Sequence, residues 1–105
     1  MKQYFCHIDY YATGEGVTAN MAFVVAESKD DALAKFCDKH FDSQEVSEYF
    51  KDYVDVMDPS NELELERIED TLKGCFTKTM SRSIIKGLEA GALFDFSFQY
   101  HVNYS

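Results

Sequence analysis

Residues 94–104 read FDFSFQYHVNY, and this stretch decides the fold. Phe94, Phe96, Phe98, Tyr100, Val102 and Tyr104 alternate with Asp95, Ser97, Gln99, His101 and Asn103. A period of two gathers the apolar side chains on one side of a strand, so one face is expected to be buried and the other wet. Upstream, residues 2–11 and 17–26 are rich in β-branched and aromatic residues and predict two more strands. Gly14 and Gly16 between them tolerate positive φ, which fits a short hairpin loop.

Everything between the second strand and the last reads as helix. Ser28 is placed to cap a helix running to about His40, with Asp31 as a weaker capping-box partner and Leu33, Phe36, Cys37 and Phe41 at helical spacing. A second helix is expected over residues 43–57. Val46, Tyr49, Phe50, Tyr53, Val54 and Met57 fall on one arc there, and Glu45, Glu48, Asp52 and Asp55 on the opposite one. Pro59 ends it. A third helix over residues 62–76 carries Leu65, Ile68, Leu72, Cys75 and Phe76; a short strand through Leu63 and Leu65 is the weaker alternative. A further helical pattern over residues 77–90 holds Met80, Ile84, Ile85 and Leu88, with a break or bend near Gly74 and its end at Gly87 and Gly91.

The order β-β-α-α-α-β predicts an α+β fold: a three-stranded, mostly antiparallel sheet with three or four helices packed on one face. The last strand can pair with the first or the second. Pairing with the first, strand order 2-1-3, is preferred because Thr18 and Asn20 suit an edge.

The chain has 105 residues, enough for one domain with one core. Its longest stretch without a charge, residues 16–26, is too short to cross a bilayer, and no secretory h-region is seen. Cys6, Cys37 and Cys75 are too widely spaced for a disulfide framework or a metal knuckle and suit a reducing, cytoplasmic setting. Each falls on an apolar face, where a thiol is ordinary core material. No phosphate loop, nucleophile elbow, zinc-protease or calcium-loop motif occurs, so no enzyme activity and no cofactor are expected.

The charge is unevenly placed. Residues 42–70 hold eleven acids and two bases, which accounts for the whole formal net charge of −9. Residues 71–88 then carry Lys73, Lys78, Arg82 and Lys86 and no acid. Lys78, Arg82 and Lys86 repeat every four residues, too few to hold duplex nucleic acid under that net charge. They are expected to pair with the acidic helices of this chain or of a second copy. The acids make up the candidate partner-binding set: Glu45, Glu48, Asp52 and Asp55 on one helix, and Glu62, Glu66, Glu69 and Asp70 on the next, with Glu64 among them. Clustered like charges repel, and such a surface speeds encounter with a basic partner. A nucleic-acid-binding protein offers one.

In size and charge the chain resembles the small acidic inhibitors encoded by phages and mobile elements, including anti-restriction and anti-CRISPR proteins. That resemblance implies a binding module acting on a basic protein. Two other readings stand beside it. His7 and Asp9 on the first strand, with His101 and Asn103 opposite on the last, would form a metal or small-ligand site if those strands are neighbours; a plain solvated face is the preferred reading of the same residues. The remaining reading is a structural homo-oligomer or homodimer formed through the open sheet face or an edge strand.

Overall fold

In the computed structural model, residues 1–13, 16–41, 48, 51–74, 76–94 and 97–102 are described, with the backbone alone given for 9–13, 16–19, 40 and 97–102. Strand β1 (Lys2–Thr13) pairs antiparallel with β2 (Gly16–Ala26), from Lys2 opposite Ala26 to Thr13 opposite Gly16. The register shifts between Ile8 and Tyr11, a bulge. Helix α1 (Lys29–His40) begins where Ser28 Oγ accepts from the Asp31 N–H at 3.1 Å. The Asp31 carboxylate reaches back to the Glu27 N–H at 3.0 Å, one residue beyond the usual capping box.

The segment expected to be a second helix is built otherwise. Among its described residues Glu48 is helical, Lys51–Tyr53 form one 3₁₀ turn, and Asp55–Met57 form a short strand, β3. The reason lies in β1. Its outer edge at Phe5, Cys6 and His7 offers unpaired backbone groups, and Met57, Val56 and Asp55 satisfy them. Helical spacing through residues 43–57 is compatible with helix on paper. The backbone hydrogen bonds of a sheet edge outweigh it over the last three residues.

Helix α2 (Glu62–Lys73) starts at Asn61, whose Oδ1 accepts from the N–H groups of Leu63 and Glu64. The break at Gly74 is real: α3 (Lys78–Glu89) starts afresh, with Thr77 Oγ1 accepting from the Met80 N–H. Gly91, at φ 83°, occupies the left-handed position beyond α3. Gly87 does not end the helix. It lies in the last turn, where a Cβ would meet the Phe94 ring at 2.7 Å. Strand β4 (Ser97–Val102) closes the sheet.

The fold is α+β, as expected, and the three long strands are joined by β3 in the antiparallel order β3-β1-β2-β4. The last strand therefore pairs with the second, against the preferred order. The edge of β1 is already occupied at β3, and the chain leaving α3 is drawn to β2 by the Phe94 ring, which packs 5.5 Å from that of Phe23. Gln3 holds the same connection, donating to the Ala92 carbonyl and accepting from the Phe94 N–H.

Nor do the helices share one face. Tyr4, Cys6, Ile8 and Ala26 are buried against Ala32, Phe36, Cys37 and Phe41 of α1 and its C-cap. On the other side, Phe5, Met21, Phe23 and Met57 are buried against Ile68 and Leu72 of α2 and Ile85 and Leu88 of α3. Both pleats of the central strands β1 and β2 are apolar, so both need a cover. The rotation of α3 also differs from the expected one: Met80 is 52% exposed, while Ser81 is fully buried and its hydroxyl has no hydrogen-bond partner among the described residues.

Candidate functional site

The described acidic residues of the 42–70 stretch separate into three groups by what they touch. Asp58 and Glu64 belong to the framework. Lys2 on β1 donates to Asp58 at 2.7 Å and to Ser60 Oγ at 2.9 Å, fixing the turn after β3 to the start of the sheet. Glu64, on the first turn of α2, pairs with Lys29 of α1 and accepts from the Asp58 N–H at 3.3 Å. Partial burial pushes the Asp58 carboxyl up, but hydrogen bonds from Lys2 and Ser60 outweigh it and hold the pKa below the usual carboxylate value. A depressed folded pKa stabilises above the unfolded value and is lost only as pH falls through the folded one. At neutral pH this connection is intact.

Three more acids form local pairs: Glu48 with Lys51 at 2.7 Å, Glu69 with Lys73 at 3.1 Å, and Asp55 on β3 with Arg67 on α2 at 3.8 Å. The last of these brings the acid of the edge strand beside α2. Pairs as exposed as these contribute little to stability.

The remaining four are different. Asp52, Glu62, Glu66 and Asp70 are exposed, and no hydrogen bond or ion pair engages them among the described residues. Glu62, Glu66 and Asp70 repeat at i, i+4 and i+8 along α2, so they form one charged row on its outer flank. Glu62, in the first turn, is favoured by the helix dipole; Asp70, near the other end, is not. Lys78, Arg82 and Lys86 of α3 are exposed and take no part in an ion pair with these acids or with any other described residue, so of the two pairings expected of them, within this chain or with a second copy, the first is not formed among the described residues. Glu45 lies outside the described residues.

The surroundings of the histidines follow from the strand order. His7 is buried on the face covered by α2 and α3, its ring stacked near Phe5 at 6.4 Å between centroids. Position 101 on β4 pairs with Thr18, and position 7 on β1 pairs with Met21. Strand β2 stands between them, so the juxtaposition of first and last strands on which a shared ligand set depends is not formed. The side chains of Asp9 and His101 and all of Asn103 lie outside what is described. Among the described residues no group of three His, Cys, Asp or Glu side chains is placed to hold a metal ion, and no helix is long and apolar enough to cross a membrane.

Cys6 on β1 and Cys37 on α1 are buried where the helix meets the sheet. Burial, with a smaller contribution from Cys37, pushes the Cys6 thiol up to about 12, opposite to what a nucleophile needs. Cys75 lies outside the described residues.

Comparison with protein-family models, with curated proteins and with solved structures found no match to this chain. The functional reading therefore rests on its own surface.

That surface has one feature with no local sequence signal. An open groove of about 600 Å³ lies where the start of β1, the 58–60 turn, the first turn of α2, the end of α3 and the loop after it meet. Its parts are separated by up to ninety positions along the chain, so no motif announces it.

Proposed function

We propose that this protein is a non-enzymatic binding module, which docks the acidic flank of α2, together with Asp52 and Asp55, on a basic protein surface. A surface built to bind nucleic acid is the natural counterpart, and its occupation makes the module an inhibitor of that protein. The observation that carries the reading is the unengaged row Glu62, Glu66 and Asp70, with Asp52 nearby in sequence, left open while Lys29, Lys51 and Lys73 are taken up by other acids. Repulsion along such a row costs each like-charged pair about 0.2–0.5 kcal/mol in a helix. An opposing basic surface relieves that cost and raises the encounter rate.

The test is capture of partners from the native cells by the wild-type chain and by the Asp52→Lys/Glu66→Lys/Asp70→Lys variant, followed by direct binding of each purified partner. A partner with a basic patch, bound by the wild type and lost by the variant, supports the proposal. Equal retention by both chains contradicts it.

A further inference from the structure

We propose that the groove between the start of β1 and the facing ends of α2 and α3 is the gripping point of this surface, and that it takes an apolar side chain flanked by Lys or Arg from the basic partner. The inference rests on the docking proposed above and adds where, and by what chemistry, the partner is held. The groove is open to solvent and has a volume of about 600 Å³. Leu88, buried, and Leu65, half-buried, form its apolar wall, and Leu93 stands at its lip 70% exposed. An exposed leucine beside an apolar hollow is surface that gains by being covered.

Charge defines the occupant. Four charged side chains line the groove, Lys2, Asp58, Glu62 and Glu89, together with the terminal amine of Met1. Lys2 and Asp58 cancel in their 2.7 Å pair. Glu62 and Glu89 remain, both exposed and neither engaged by a hydrogen bond or ion pair among the described residues. Glu89 is the last residue of α3, where the helix dipole is also negative, so a carboxylate there is unfavourable until a cation arrives. Three carboxylates against the Met1 amine and Lys2 leave the lining net negative, which disfavours an anionic occupant. A purely apolar one leaves the carboxylates unanswered, and a purely cationic one leaves Leu65, Leu88 and Leu93 wet.

The walls are set before binding. Gln3 bonds the backbone at Ala92 and Phe94, Gly91 makes the turn in the left-handed region, and Lys2 holds the 58–60 turn. Such preorganisation lowers the ordering cost of association.

The experiment is an NMR titration of the isotope-labelled full chain with three capped pentapeptides, whose central residues are Leu-Arg-Leu, Leu-Glu-Leu and Gly-Arg-Gly. The expected result is saturable amide shifts at Glu62, Leu65, Leu88, Glu89 and Leu93 with the first peptide, and much weaker ones with the other two. Glu62→Gln/Glu89→Gln is expected to weaken that binding about fivefold, the size of two exposed charge contacts, with the rest of the spectrum unchanged. Saturable shifts confined to other positions, equal response to all three peptides, or no saturable shift overturns the inference. Asp52, Glu66 and Asp70 do not line the groove, so charge reversal there tests the docking reading separately. Loss of partner on reversal at those residues, with no groove response, leaves the docking standing and the gripping point wrong.

Discussion

The two faces of the sheet are both covered, and the covers differ in kind. Among the described helices one face is roofed by α1, whose inner side brings Ala32, Phe36 and Cys37 onto Tyr4, Cys6 and Ile8. The other is roofed by α2 and α3, which bury Ile68, Leu72, Ile85 and Leu88 on Phe5, Met21 and Phe23 while turning unengaged charge outward. On the first roof Asp31 pairs with Lys35 at 3.2 Å and Lys29 with Glu64 of α2, whereas Asp30, Asp38 and Lys39 are exposed and unengaged among the described residues. On the second, Glu69 pairs with Lys73 and Arg67 with Asp55, and Glu62, Glu66, Asp70, Lys78, Arg82 and Lys86 are unengaged among the described residues. The lesson is that equal burial below says nothing about use above. Both roofs carry exposed charges with no partner among the described residues, but only on α2 and α3 do these stand in rows of one sign, Glu62, Glu66 and Asp70 on the one and Lys78, Arg82 and Lys86 on the other.

The comparison can be broken in four ways. Phe5→Ala and Phe36→Ala empty one core each, and each is expected to lower stability by about 3–5 kcal/mol in urea unfolding. A cost below about 1 kcal/mol for either would mean that face is not a packed core. Next comes alkaline pH, which separates the faces because only the α1 side holds described thiols. The folded Cys6 pKa is raised from 9.0 to about 12, so its stabilisation is complete below the unfolded value and is lost as pH rises from 9 towards 12. The stability gap between the wild type and Cys6→Ala is therefore expected to narrow over that range. In a Cys75→Ser background, neither remaining thiol is expected to react with a disulfide reagent at pH 8 while the chain is folded; rapid reaction contradicts the burial.

Smaller effects follow at the caps. Ser28→Ala and Asn61→Ala each remove a side chain that accepts from the first turn of a helix, one on each roof. Each is expected to cost about 1 kcal/mol by thermal or urea unfolding. The smallest effect sharpens the contrast most. Reversing Glu66 or Asp70 to Lys is expected to change stability by less than about 0.5 kcal/mol, because neither is engaged. Asp31→Lys removes both the Lys35 pair and the bond from the Glu27 N–H and should cost more.

Much of this architecture was legible in the sequence. The hairpin and the last strand follow from period-two alternation, and α1, α2 and α3 begin at Ser28, Asn61 and Thr77, residues whose side chains cap them as their types suggest. What escaped depends on non-local choices. The short strand Asp55–Met57 exists because β1 has an edge to fill, which a periodicity within residues 43–57 cannot reveal. The second roof escaped because Phe5 shares its face of β1 with His7 and Asp9, a pair that reads as wet, although Phe5, Met21 and Phe23 make that pleat apolar once β1 and β2 are paired. The rotation of α3 turned on Ser81, a polar residue in the buried arc where Met80 was the apolar choice. At the candidate site, composition revealed the acids but not their division. Asp58 and Glu64 are framework because Lys2 and Lys29 come from elements far away in the chain.

The ionic-strength dependence of association tests the central claim most directly. With a captured basic partner, the association rate constant of the wild type is expected to fall at least about tenfold between about 50 and 500 mM salt. The Asp52→Lys/Glu66→Lys/Asp70→Lys variant should start at the slower rate and change little. A rate that is the same for both chains and flat in salt contradicts the claim that this flank is what the partner meets.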